Sequence, residues 1–122
     1  MSKHQWINPK SAIEKLEEME FSTLGVFNSA HIGVFWSEAG GPGPWEMHPD
    51  EDELLHVLEG EIEIHLLPED ASSAAELISV RSGEFLVVPK GHWHRHNMIK
   101  KTKELYLSPK ATLHSNEDDP RK

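Results

Sequence analysis

The stretch "LEGEIEIHL", residues 58–66, decides the fold class of this chain. Within it Ile62, Ile64 and Leu66 alternate with polar residues at positions 61, 63 and 65. Successive side chains of a strand point to opposite faces of its sheet, so this alternation predicts a strand with one buried face and one wet face. Gly60 marks a turn before the strand.

Similar short apolar runs continue on both sides of this strand from about residue 21. They read "STLGVF", "HIGVFW", "ELLHVL", "AELISV", "EFLVV", "HWHRHNMI" and "KELYLS". Turn signals such as "GGPGPW", "RSG" and "PKG" separate them. Many short strands with frequent turns and no second helical pattern predict an all-β antiparallel sandwich or barrel.

The first twenty residues differ from this β pattern. Residues 8–20, "NPKSAIEKLEEME", carry an apolar stripe at helical spacing, formed by Ala12, Ile13, Leu16 and Met19. This spacing predicts a short amphipathic helix. We therefore predict an N-terminal arm with a short helix over 1–20, a barrel domain over 21–110 and a polar tail over 111–122.

Composition and charge narrow the classes of function. The chain has 122 residues, a formal net charge of −9 and no cysteine. The negative charge disfavours nucleic acid and anionic membranes as partners, because binding to phosphates depends on clustered Lys and Arg. The lack of cysteine leaves only nitrogen and oxygen donors for a metal ion. No apolar run approaches a membrane span or a secretory signal, which predicts a cytoplasmic protein.

Acidic residues and a histidine cluster in "GGPGPWEMHPDEDELLHVLEG", residues 40–60. Glu46 and His48 lie two positions apart, so on a strand they face the same side. The residues after His48 read as a turn, and Glu53 opens the next apolar run. The turn is therefore expected to bring Glu53 beside Glu46 and His48.

A second stretch, "GEFLVVPKGHWHRHN" at 83–97, repeats the arrangement of strand, turn and strand. Its histidines at 92, 94 and 96 occupy alternate positions, so on a strand they would share one face, although His92 lies at the Pro-x-Gly turn. On this stretch alone a metal site, a basic surface stripe and chance all remain open.

Together the two stretches resemble the motifs of the cupin superfamily, G-x5-H-x-H-x3,4-E-x6-G and G-x5-P-x-G-x2-H-x3-N. The matching positions are Gly40, Glu46, His48, Glu53 and Gly60, then Gly83, Pro89, Gly91 and His94. Two positions depart from the pattern: Glu46 replaces the first histidine, and Asn97 comes one residue early. A register that takes His48 and Asp50 as the histidine pair leaves too short a spacing to Glu53.

The resemblance implies a jelly-roll barrel that holds a divalent metal ion. Its ligands would be Glu46, His48, Glu53 and His94. Imidazole and carboxylate donors suit iron, manganese, nickel or zinc. We also predict that His96 lines the pocket, by strand alternation, and that Trp45 lies at its rim, next to Glu46.

Glu46 departs from the cupin motif, and three roles are possible for it. It can ligate the metal, act as a catalytic base beside it, or hydrogen-bond inside a pocket without metal. A carboxylate without a metal in such a site tends to hold a proton.

The sequence leaves three function hypotheses. The first is a metal-dependent enzyme acting on a small organic molecule, an oxygenase or isomerase. The second is a non-catalytic small-molecule-binding protein, and the third is a structural or partner-binding barrel. The chain also resembles small single-domain cupins labelled as similar to mannose-6-phosphate isomerase, but it offers no evident basic cluster for a phosphate. A homodimer is the expected assembly, because two-fold pairs are the commonest oligomers.

Overall fold

A computed structural model describes residues 4–122, which form one short helix and ten strands. The helix α1 spans Pro9–Glu14. The strands are β1 (Ser22–Phe27), β2 (Ala30–Ser37), β3 (Trp45–Met47), β4 (Glu53–Glu59), β5 (Glu61–Leu66), β6 (Glu76–Arg81), β7 (Phe85–Val88), β8 (His94–Met98), β9 (Thr102–Ser108) and β10 (Leu113–Ser115). The first three residues of the predicted arm over 1–20 lie outside the described residues.

The strands form two five-stranded antiparallel sheets. One has the order β1-β2-β9-β4-β7, and the other has the order β10-β3-β8-β5-β6. Chain neighbours such as β3 and β4 lie in different sheets, so the chain repeatedly crosses between the two layers. This arrangement confirms the predicted fold class, an all-β antiparallel jelly-roll barrel with a short N-terminal helix.

The core lies between the inner faces of the two sheets. Ile62 and Ile64 of β5 are fully buried, as their alternation predicts. They pack with buried apolar residues of both sheets, namely Leu55, Val57, Val80 and Val88. Burying such side chains contributes roughly 1.5–3 kcal/mol each to folding. This core fills only part of the space between the two sheets.

The N-terminal helix is shorter than the predicted span of 8–20. It ends at Glu14, and the residues after it bond to β2 instead. The indole Nε1 of Trp36 donates to the carbonyl of Leu16 at 2.8 Å, and the backbone N–H of Met19 donates to the carbonyl of Trp36 at 2.9 Å. These tertiary hydrogen bonds replace helical ones. No helix among the described residues is long and apolar enough to cross a bilayer.

The segment 111–122, predicted as a polar tail, contributes a strand. Its residues Leu113–Ser115 pair with β3 at the edge of the second sheet. Further along, the guanidinium of Arg121 donates to the carbonyls of Pro68 and Asp70 at 2.8 and 2.7 Å. The domain boundaries at 20 and 110 stay a prediction, and the C-terminal segment contacts the barrel through Leu113–Ser115 and Arg121.

Candidate metal centre

Two turns at one end of the barrel are tied together by hydrogen bonds. The backbone N–H of Gly91 donates to the carbonyl of His48 at 2.8 Å. The backbone N–H of Lys90 donates to the carboxylate of Asp52 at 2.9 Å. Gly91 has a φ of +79°, a conformation that glycine adopts at little cost. These bonds hold the two motif stretches, far apart in sequence, at one place.

The four predicted ligands converge there. Glu46 lies on β3 directly opposite His94 on β8. His48 follows β3, and Glu53 begins β4. One ligand atom from each of these residues lies within 4.8 Å of the other three. His48, Glu53 and His94 are buried, with exposed fractions of 3%, 5% and 0%.

Glu53 is at the centre of the cluster. Its Oε1 lies 3.2 Å from His48 Nε2 and 3.1 Å from His94 Nε2. The contact with His48 is not aligned as a hydrogen bond, so that buried nitrogen has no hydrogen-bond partner among the described residues. Two imidazole nitrogens thus face one carboxylate oxygen.

The other ring nitrogen of each histidine indicates where the proton lies. His48 Nδ1 is 3.2 Å from the carbonyl of Ala111 and 3.0 Å from the hydroxyl of Thr112. A carbonyl oxygen only accepts, so the tautomer that satisfies Ala111 carries its proton on Nδ1. His94 Nδ1 faces the carbonyl of His92 in the same way, at 3.5 Å. Metal-binding histidines typically have this second contact, which leaves the Nε2 lone pair free for the ion.

The charges of the cluster support binding of a cation. Burial alone raises the pKa of Glu53, but the imidazoles of His48 and His94 outweigh it and lower that pKa to about 2. Burial alone lowers the pKa of His48. The hydrogen bond and negative charge of Glu53 raise it, and together with smaller contributions they outweigh burial, so the net shift of this pKa is upward. Glu53 is thus ionised. A proton on the imidazoles or a metal ion can balance its charge, and the orphaned Nε2 of His48 fits the metal.

Glu46 is placed differently from the other three. Its side chain is 33% exposed and lies at the edge of the cluster. One carboxylate oxygen is 4.0 Å from His94 Nε2, and the other is 3.6 Å from His114 Nε2. Glu46 can therefore reach either the cluster or the open cavity, and its three predicted roles remain open.

A cavity of about 440 Å³ opens beside the cluster. Glu46, His48 and Glu53 line it directly, whereas His94 is fully covered. The remaining wall comes from the inner faces of both sheets, the segment before β1 and the C-terminal segment: Met19, Phe21, Phe35, Gly43, Pro44, Leu55, His96, Met98, Glu104, Tyr106, Ser108, Thr112 and His114. A pocket of this volume suits a small organic molecule.

His96 lies in the cavity wall, and there it pairs with an acid that the sequence analysis did not single out. His96 Nε2 contacts both carboxylate oxygens of Glu104, at 3.1 and 3.3 Å. Glu104 is only 1% exposed. Burial lowers the pKa of His96, but the charge and hydrogen bond of Glu104 outweigh it and raise that pKa to about 9. The pair links β8 of one sheet to β9 of the other.

Trp45, predicted at the rim of the pocket, is not among the described residues that line the cavity. It precedes Glu46 on β3 and therefore points to the opposite side of the strand. The guanidinium of Arg95 lies 4.3 Å from its ring centroid, and only 3% of Trp45 is exposed. Strand alternation points Glu46 towards the cavity. Trp45 lies on the other face of the second sheet, where it is buried against Arg95.

Residues 34–107 match the family model of the cupin domain (Cupin_2). The chain belongs to the cupin family. A protein named uncharacterized protein YdbB, from Bacillus subtilis strain 168, is 36% identical over 70 residues. That alignment spans 57% of this cupin and 57% of the relative.

Solved structures share the fold. A cupin-2 domain containing protein from Shewanella frigidimarina has a TM-score of 0.71 and 23% identity, over 85% of this chain and 94% of its own. Hydroquinone 1,2-dioxygenase from Sphingomonas sp. TTNP3, solved with 4-hydroxybenzoate bound, has a TM-score of 0.65 and 20% identity, over 83% of this chain and 71% of its own. At these identities the similarity establishes the fold alone.

Proposed function

We propose that this cupin binds a divalent metal ion through Glu46, His48, Glu53 and His94 and acts on a small organic molecule in the adjoining cavity. One observation carries the proposal: two imidazole nitrogens and two carboxylate oxygens lie within 4.8 Å of one another beside a 440 Å³ cavity. The set contains only nitrogen and oxygen donors, which suit manganese, iron, nickel or zinc.

The bound ion would supply Lewis-acid or redox chemistry to a substrate oxygen. The chain's own residues prepare the site for it. Ala111 and Thr112 hold the ring of His48, so its Nε2 faces Glu53. Glu46 borders the cavity and is placed to accept a proton from a bound molecule or to complete the ligand set. An oxygenase or an isomerase fits these parts, and two structural neighbours of this fold are hydroquinone dioxygenases.

Metal titration by calorimetry, after chelator treatment of untagged protein, tests the ligand set. We expect His94→Ala to nearly abolish Zn(II) binding and Glu46→Ala to weaken it. Glu46→His supplies the imidazole usual in the family and should bind Zn(II) or Ni(II) at least as well as the parent. His56→Ala is the matched control, since His56 alternates with the buried Leu55 and Val57 and faces outward. Equal affinity in the parent and His94→Ala would refute the proposal.

A non-catalytic ligand-binding protein is the second candidate, favoured by the largely apolar cavity wall. The two candidates differ in turnover and not in binding. Incubating the metal-loaded protein with a bound small molecule under air, and following its conversion by chromatography coupled to mass spectrometry, which also resolves isomers of equal mass, separates the two candidates. Binding without conversion favours the second candidate.

We also propose a homodimer. β1 is an edge strand of its sheet, and its residues Val26 and Phe27 are 50% and 60% exposed. Edge strands with apolar side chains require cover, and a second copy is the simplest cover. Light scattering coupled to size-exclusion chromatography should give twice the 13.9 kDa chain mass, whereas a monomer would refute the proposal.

A further inference from the structure

Three aromatic rings form one part of the cavity wall. Phe21 stacks on Phe35 with ring centroids 4.4 Å apart, and Tyr106 lies 6.2 Å from both. All three rings line the cavity. Phe21 is still 54% exposed, so the cluster presents an uncovered aromatic surface to a ligand that enters the cavity.

The sheet makes specific room for one of these rings. Gly33 on β2 lies directly opposite Tyr106 on β9. Any side chain at Gly33 would overlap the Tyr106 ring, because an added Cβ would fall on its hydroxyl end. The absence of a side chain at position 33 therefore allows the tyrosine to lie flat against the sheet and within the cavity.

The ionisable groups of the wall limit the charge of a ligand. Besides the phenol of Tyr106 they are carboxylates and imidazoles, and none of the described lining residues is Lys or Arg. Phosphate recognition typically uses those cations. His96 is already paired with Glu104. The described wall therefore offers a phosphorylated ligand no Lys or Arg as a counter-ion.

We infer that the ligand of this cavity is an aromatic alcohol of the phenol type, with its ring against Phe21, Phe35 and Tyr106 and its hydroxyl towards the metal-ligand cluster. A phenolic hydroxyl ionises far more readily than an aliphatic one, and the resulting oxygen anion is a good partner for a divalent cation. Aromatic rings gain stabilisation from stacked and edge-to-face pairing beyond burial of area. The role of the hydroxyl rests on the proposed function, whereas recognition of the ring does not.

Phenol and cyclohexanol make a matched pair of probes, because both carry one hydroxyl on a six-membered ring and only one is aromatic. Ligand-observed NMR titrations of both, on chelator-treated and on Zn(II)-reloaded protein, measure the preference. We expect phenol to bind several-fold more tightly than cyclohexanol. Phe21→Leu and Phe35→Leu should each lower the phenol affinity by about 2- to 12-fold while leaving cyclohexanol nearly unchanged.

Phe85→Leu is the control, because Phe85 lies on β7 outside the cavity and is 64% exposed. It should change neither affinity. Phe21 is also half-exposed, so its variant is expected to fold even if replacement of the buried Phe35 disturbs the core. Equal affinities for phenol and cyclohexanol, or an equal loss in Phe85→Leu, would overturn the inference.

Zn(II) binding measured on the same samples separates the two proposals. A protein that binds phenol through Phe35 but binds no Zn(II) contradicts the proposed metal function and supports the recognition of the ring. A protein that binds Zn(II) but does not prefer phenol contradicts only the inference.

Discussion

The buried pair of His96 and Glu104 should make stability depend on pH. The pKa of His96 rises from 6.5 to about 9 in the folded chain, chiefly because Glu104 outweighs the effect of burial. The folded state therefore holds this proton more tightly than the unfolded state. The resulting stability is fully present below pH 6.5 and is lost as the pH rises towards 9.

The size of this contribution follows from the shift. The difference between about 9 and 6.5 corresponds to roughly 3 kcal/mol, at 1.36 kcal/mol per pKa unit. Glu104→Gln keeps the shape of the side chain and removes the charge. We expect the variant to be about 3 kcal/mol less stable than the parent at pH 6. At pH 9.5, above the folded-state pKa, His96 is mostly neutral in the parent, so the difference should largely vanish.

Urea unfolding of chelator-treated protein at pH 6, 7.5 and 9.5 measures this contribution. His48 also has a raised pKa and adds to the pH dependence with the same sign. The diagnostic quantity is therefore the difference between parent and Glu104→Gln at each pH, because His48 is present in both. A difference that stays constant from pH 6 to 9.5 would refute the assigned ion pair.

Two further substitutions test how the site is supported. Thr112→Val removes the hydroxyl 3.0 Å from His48 Nδ1 and should weaken Zn(II) binding by about tenfold in calorimetry; unchanged affinity would mean that Ala111 alone orients the ring. Gly33→Ala places a methyl group on the Tyr106 ring and should lower the free energy of unfolding by about 1–3 kcal/mol; an unchanged melting temperature would show that the ring moves freely.

Much of the fold could be predicted because its signals are local. Alternation such as that of Ile62 and Ile64 fixes which face of a strand is buried, and glycines such as Gly91 mark the turns. The convergence of Glu46 with His94 followed from a motif resemblance, since no local pattern specifies contacts between distant strands.

Glu104 illustrates what the local pattern could not give. In "KELYLS" the apolar Leu105 and Leu107 alternate with Glu104, so amphipathicity alone places the leucines inside and the acid outside. In the structure Glu104 points inward instead, and His96 across the barrel compensates its buried charge. The pattern of β9 alone cannot predict that His96 on β8 pairs with Glu104.

The C-terminal segment was missed for a related reason. Residues 113–115 form too short a run to give a periodic signal, and their strand exists only through pairing with β3. His114 had no motif to support it, yet its ring lies 3.6 Å from Glu46. Thr112 contacts His48 from the same segment. Such contacts are set by tertiary structure.

Anomalous diffraction from a crystal soaked in Zn(II) tests the central claim most directly. A metal-binding cupin should give its strongest anomalous peak between Glu53, His48 and His94, at about 2.0–2.2 Å from their donor atoms. A carboxylate oxygen of Glu46 at a similar distance from the peak would assign that residue as a fourth ligand. Peaks confined to exposed side chains, with none at the buried cluster, would contradict the metal centre.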